Sequence, residues 1–432
     1  MKQNTAERMG LMGAIAIGIG GMVGGGIFAV LGEAVSTAHG ATPVAFALAG
    51  VVALLTAVSY ARLAVAYPNR GGTVVYIDNA FGNNLASGSV NVMLWLSYLV
   101  TIALYASAFA SYAATFFADG VSPLQQHALI SVAIILPTAI NLISASFVSR
   151  SETLIVVLKL ALLVFIIYSS LPYMDIQRVS PAQWGDPLSI VAAGMIIFVA
   201  YEGFELIANA AEDIENPRRN LPLAFVLSVV LVMVLYMVIA VLTVSTVSEA
   251  QLVTARDYAL AVAARPALGQ SGFVIVAAAA LLATFSAINA TIYGNARLGY
   301  TLARDGQLPE QFDHEVWNKP VVGVLMTAII SLLIANTISL NEIAIIGSAS
   351  FLLIFTLVNA SACRLRQHIG GSIWLYGAGT MLCALALVVL LIHTCQTDVR
   401  ALWVFLGFLL ISCGFEGVFG TIVRGHFLGR QY

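Results

Sequence analysis

Three groups of residues in this sequence are of types that carry chemistry and stand where such types are rare. Lys159 lies in the middle of the apolar run TLIVVLKLALLVFII. Glu202 and Glu205 are three apart in FVAYEGFEL, on roughly one face if that segment is helical. Gly20, Gly21, Gly24, Gly25 and Gly26 crowd into seven positions of another apolar run. A lysine taken out of water can lose and regain its proton near neutral pH. Two neighbouring carboxylates can hold or pass a proton, or act as the acid and base of a hydrolase. Glycines cost a helix roughly 1 kcal/mol each relative to alanine, so five of them favour an unwound segment. Its free N–H and C=O groups suit a small zwitterion, with carboxylate at the amides and ammonium at the carbonyls.

Each group also has a plainer reading. Gly20-xxx-Gly24 and Gly21-xxx-Gly25 suit close helix packing. Gly24-x-Gly26-x-x-Ala29 fits a relaxed dinucleotide fingerprint, but no strand precedes it. The hydrolytic reading of Glu202 and Glu205 lacks a polar domain around the pair, and Glu202 could instead cap or solvate a broken helix. The six histidines have no ligand spacing, and Cys363, Cys383, Cys395 and Cys413 contain no CxxC pair. No metal site and no disulfide framework is expected from them.

The elements that must position these residues are membrane helices. Of 432 residues, 60% are hydrophobic and 9% charged, where a soluble domain carries roughly 25% charge. With a mean hydropathy of +0.94, too little polar material is left to cover soluble domains. The net charge of −2 offers no basic field for nucleic acid. Apolar runs fall at about 10–38, 42–66, 84–117, 127–145, 153–171, 188–211, 221–244, 272–301, 321–338, 341–361, 372–392 and 400–424. Turn or helix-stop chemistry separates them: Pro68 to Gly72, Ser122-Pro123, Asn216-Pro217, Pro266 to Gly272 and Leu308-Pro309. The run beginning near Gly10 is too long for a signal-peptide core and reads as a first span. Residues 1–432 are expected to form one transmembrane domain.

With the N-terminus on the cytoplasmic side, fourteen basic residues fall inside, and Arg178, Arg256, Arg265 and Arg400 fall outside. That asymmetry predicts an even number of spans with both termini in the cytoplasm. The nineteenth basic residue is Lys159. The weak points Gly24 and Gly203 are 179 positions apart, as are the starts of runs 2 and 7, and runs 3 and 8 start 188 apart. The spacing is that of a five-plus-five duplication over residues 8–360, with runs 11 and 12, in 361–432, left over.

MVGGGIF, PNRGGTVVYIDNAFG, FVAYEGFELIANAAEDIENPRRNLPLA and NATIYGNARLGYTLARDGQLP resemble, in this order along the chain, motifs of the amino acid, polyamine and organocation transporter superfamily. The pattern is most similar to its proton-coupled, broad-specificity amino acid transporters of the ApcT type. The resemblance implies a LeuT-like fold of twelve helices, with an inverted five-helix repeat and discontinuous helices 1 and 6. It implies that Gly24, Gly25 and Gly26 hold the cargo carboxylate by backbone amides alone, because the hydroxyl many relatives carry at the middle position is here Gly25. Gly20 and Gly21 would offer carbonyls to the ammonium, together with those around Phe198, Val199 and Tyr201. The last three are also candidates for contacting the cargo side chain, and Tyr98, Thr101, Tyr105, Phe285 and Ser348 for the wider pocket.

By the same resemblance Lys159 stands in for the sodium ion of other LeuT-fold proteins. Its expected partners are the Gly20 carbonyl and the hydroxyl of Ser286 or Thr284, and no sodium is expected there. Glu205 matches a proton-sensing glutamate of related exchangers. Glu416 lies outside the repeat and reads as a helix-contact or interface residue. The implied function is import of amino acids by proton symport in an inner or plasma membrane, with no cofactor beyond the proton. An amino acid/amine exchanger is the alternative within the superfamily. An ion channel, for which no filter-like motif is visible, is the alternative outside it. Neither the identity of the cargo nor the oligomeric state is legible.

Overall fold

In the computed structural model, residues 9–69, 71–118, 120–143, 145–313 and 321–422 are described. Of the fourteen basic residues placed on the cytoplasmic side, Lys2, Arg8, Arg70, Lys319, Arg424 and Arg430 lie outside the described residues, as does the side chain of Arg150. Eighteen α-helices follow in chain order: α1 (Leu11–Met22), α2 (Gly26–Ala38), α3 (Thr42–Ala66), α4 (Thr73–Phe81), α5 (Leu85–Ala114), α6 (Pro123–Ile143), α7 (Ala145–Ser170), α8 (Pro187–Ile196) and α9 (Leu206–Asn209). The rest are α10 (Pro217–Thr246), α11 (Glu249–Thr254), α12 (Ala259–Ala263), α13 (Arg265–Arg304), α14 (Val321–Thr337), α15 (Leu340–Arg364), α16 (Arg366–Ile369), α17 (Ile373–Thr397) and α18 (Val399–Ile422). Among the described residues no strand forms, only isolated bridges of Met9 with Ile214 and His39 with Trp184.

Among the described residues, ten helical segments are long and apolar enough to cross a membrane, and α1 with α2 make an eleventh as a pair bent by 49°. The ninth expected run is α14, an apolar helix of which 17 residues are described. The stop signals act largely as expected. Asn216 takes a left-handed backbone (φ 46°), and Pro217 then opens α10, where its missing N–H costs nothing. The turn expected between Pro266 and Gly272 is a kink inside α13, at Gly269 (φ 61°). Asn84 with Ser87 and Ser339 with Glu342 form reciprocal caps that start α5 and α15.

Helix α5 is the axis of the molecule. Its apolar window is 94% buried, against 17% for α18, and it packs on α13, α15, α18, α6 and α14. The apolar windows of α17 and α18 are mostly unburied, and an exposed apolar face is what lipid hydrocarbon tolerates. Glu416 of α18 is buried against α5 at Gly88, a helix-contact position.

The two weak points behave differently. The first breaks at Val23–Gly25, as the glycines predict. The second does not open: after α8, Ile197–Glu205 winds as a tighter 3-10 helix that leads directly into α9. The expectation of a second fully discontinuous helix is therefore met only by a change of winding, which keeps the backbone hydrogen-bonded in the interior. The two segments cross at their glycines. A Cβ on Gly21 would lie 2.5 Å from the Gly203 carbonyl oxygen, and one on Gly203 would collide with the Gly21 backbone. Gly25 sits under the ring of Tyr105 and Gly26 against the Ala200 backbone.

Because backbone cannot retreat as a side chain can, Gly203→Ala is expected to lower stability by roughly 1–3 kcal/mol. Thermal unfolding in detergent should show a fall of several degrees; an unchanged melting temperature would mean the crossing is loose.

Candidate functional site

A cavity of about 50 Å³ opens beside this crossing, room for a few waters. Gly20 and Gly21 of α1, Tyr98 and Tyr105 of α5, Lys159 of α7, Glu202 and Gly203 of the 3-10 segment, and Ser286 and Asn295 of α13 line it. It extends past Gly71, Thr73, Asn209 and Leu298, toward the end of the bundle where α9 and α13 finish. Around α2, at the other end, the structure is tied shut. Arg256 pairs with Glu33, Ser111 donates to Asp257 at 3.3 Å, and Phe28 packs edge-on against Tyr112.

Lys159 is 3% exposed, and its Nζ donates to the Gly20 carbonyl oxygen at 3.2 Å. One of its expected partners is thus in place. Ser286 shares the cavity wall, but Thr284 turns its hydroxyl back onto its own helix, to Ala280 and Leu281 at 2.7 and 3.1 Å. α1 and α7 come close here: a Cβ on Gly20 would sit 3.2 Å from Val156 Cγ2.

The two carboxylates have unlike surroundings. Glu205 accepts from the Tyr98 hydroxyl at 2.6 Å, and from Tyr60 and Thr73 at 3.0 and 3.1 Å, which satisfies both its oxygens. Three donors can hold a carboxylate's charge in an apolar interior. Glu202 is 4% exposed and faces the cavity, and its Oε2 has no hydrogen-bond partner among the described residues. A hydrolytic acid/base pair is not what this arrangement provides, since one member is fully occupied by hydroxyls.

Phe198, Val199 and Tyr201 do not line the cavity. The Tyr201 hydroxyl donates to the Phe46 carbonyl at 2.9 Å and its ring packs on Tyr236. The Val199 amide donates to Ser348 Oγ at 2.9 Å, and Phe198 packs edge-on against Phe355. Their tethers run to α3, α10 and α15, so they hold the 3-10 segment in place. Gly24, Gly25 and Gly26 are likewise outside the lining: Gly24 faces Ala287 across the break. Of the wider pocket, Tyr98 and Tyr105 reach the cavity, while Phe285 packs against Phe109.

Sequence reasoning named no role for Tyr60, Thr73 or Asp78. Thr73 and Asp78 lie inside PNRGGTVVYIDNAFG, the signal that marked the stretch without resolving its members. That stretch forms α4, which a polar clasp holds to the bundle. Asn91 donates to Asp78 Oδ1 at 2.9 Å and to Gln307 at 2.9 Å, and Gln307 donates to Asp78 Oδ2 at 3.0 Å.

A helical bundle with ten or more apolar spans among the described residues, a broken first helix and charged groups around an internal cavity is the architecture of a multi-pass membrane transporter. The amino acid permease family model matches residues 9–413, and the chain belongs to that family. It is a transporter and not an enzyme. It is 35% identical to the uncharacterized protein MJ0609 of Methanocaldococcus jannaschii, over 84% of each chain. It is 33% identical to the inner membrane transport protein YbaT of Escherichia coli, over 95% of each chain. At 22% identity it is similar to the branched-chain amino acid permease BcaP of Bacillus subtilis, over 85% of this chain and 82% of that one.

Burial pushes the Asp78 carboxyl up to about 6, with the Asp305 and Glu416 charges adding to it and the Asn91 and Gln307 hydrogen bonds opposing it. A raised carboxyl adds stability that is full below the usual carboxylate range and is lost as pH rises through about 6. The wild-type melting temperature should therefore fall, relative to Asp78→Asn, between about pH 5 and pH 7. Parallel profiles for the two proteins would refute this.

Proposed function

We propose that the protein imports amino acids by proton symport through alternating access, with Lys159 as the coupling group. The observation that carries this reading is the Lys159–Gly20 hydrogen bond, which ties α7 to α1 immediately before the helix break. A charged ammonium holds the two helices together. After proton loss the nitrogen no longer brings a positive charge to the carbonyl, and α1 is freer to move. Protonation and helix position are then linked by the differential strength of one contact. Ser286 shares the cavity wall with Lys159 and is proposed as its second partner. Thr284, bonded within α13, is proposed only as packing support. In this reading a proton on Lys159 replaces sodium, and no other cofactor takes part.

The proposed scaffold is a LeuT-like fold of twelve helices, with the five-plus-five repeat over residues 8–360 and both termini in the cytoplasm of an inner or plasma membrane. The 179-residue offset between the weak points Gly24 and Gly203 supports the repeat, and Gly21, three residues before Gly24, meets Gly203. On this orientation the cavity leads toward the cytoplasm and the Glu33–Arg256 pair closes the outside. Gly24, Gly25 and Gly26 are proposed to present their amides to the cargo carboxylate once the half-helices separate and the cavity widens. The cargo's α-ammonium then finds Gly21 and the carbonyls near Phe198, Val199 and Tyr201. The second reading, exchange of an amino acid for an amine, is favoured by Glu205: its three hydroxyl donors come from α3, α4 and α5, so its protonation would be felt by all three.

Proteoliposomes test this directly. Wild-type uptake of a radiolabelled amino acid should rise with an inward proton gradient, and Lys159→Ala should lose that stimulation while still catalysing counterflow. Gradient-driven uptake that survives Lys159→Ala intact overturns the coupling role. Uptake that requires an amino acid or amine inside the vesicle establishes exchange.

A further inference from the structure

The cavity contains more hydrogen-bond acceptors than the protein satisfies. Glu202 and Asn295 both line it, both are at least 96% buried, and neither Glu202 Oε2 nor Asn295 Oδ1 has a partner among the described residues. A buried unpaired acceptor costs on the order of 1–3 kcal/mol, more for a charged group, unless something donates to it. Thr101 bonds Glu202 yet leaves Oε2 without a partner, Ser97 donates to a carbonyl of its own helix, and Tyr98 donates to Glu205. A cargo with one additional ammonium, three donors and no acceptor, supplies the missing donors.

We propose that Glu202 is the anionic arm of a subsite for a second cationic nitrogen on the cargo, so that the cavity prefers amino acids or amines of net positive charge. This rests on the amino acid transport reading and names its substrate class. Glu202 stands in the wall with Tyr98 and Tyr105 of α5. Asn295 offers a second acceptor farther along α13.

The test is equilibrium binding of ornithine and of norleucine, in which a methyl group replaces the side-chain ammonium, to the full chain in lipid nanodiscs at neutral pH. Wild type should bind ornithine about tenfold more tightly or better, the scale of a charge-assisted hydrogen bond. Glu202→Gln should erase the difference mainly by weakening ornithine, and Glu202→Asp, with a shorter arm, should shrink it. Equal binding of the two ligands by wild type, or a preference undiminished in Glu202→Gln, overturns the proposal and leaves amino acid transport standing. Wild type that binds neither ligand, nor any of a panel of zwitterionic amino acids, overturns both. The wild-type ratio decides even if a variant does not fold.

Discussion

The contact of two backbones at Gly21 and Gly203 is the constraint on which the site depends. Two membrane segments can approach this closely only where neither carries a Cβ. At this crossing the first segment breaks and the second tightens into a 3-10 helix, which places Gly20, Gly21, Glu202 and Gly203 around one cavity. Larger side chains at the crossing would push the segments apart and separate Lys159 from the carbonyl it binds. The tethers of Val199 to Ser348 and of Tyr201 to Phe46 serve the same end, since they fix the 3-10 segment against α15 and α3.

Around that crossing the charged groups divide the work by their surroundings. Glu205 is saturated by hydroxyls and so is built into the scaffold, whereas Glu202 keeps an open oxygen. Lys159 of α7 donates to the Gly20 carbonyl of α1. At the ends of the bundle the ties differ in chemistry. The Glu33–Arg256 pair and the Asp78–Asn91–Gln307 clasp each join segments far apart in sequence, and each could be made and broken without disturbing the core.

Much of this was legible in the sequence because membranes make the rules severe. A charge inside a 20-residue apolar run is rare enough that Lys159, Glu202 and Glu205 stood out by type alone. Glycine density located the α1–α2 break, and prolines located helix starts such as Pro217. What the sequence could not show was direction. Phe198, Val199 and Tyr201 share a segment with Glu202, yet a 3-10 helix turns about 120° per residue, and a small change in winding sends neighbours to different partners. The resemblance identified the segment, but only the tethers to Phe46, Ser348 and Phe355 show that these three face the scaffold. Tyr60 and Thr73 were invisible for a related reason: they matter through Glu205, more than a hundred residues away.

The central claim is that cargo passes through the cavity beside the glycine crossing. The most direct measurement replaces Cys363, Cys383, Cys395 and Cys413 with serine, introduces Leu298→Cys in the cavity wall, and follows thiol modification and amino acid uptake in the same proteoliposomes. The account predicts that a bulky thiol reagent at this position blocks uptake and that transported amino acid slows the modification. Full uptake through a protein modified at this position would place the path elsewhere.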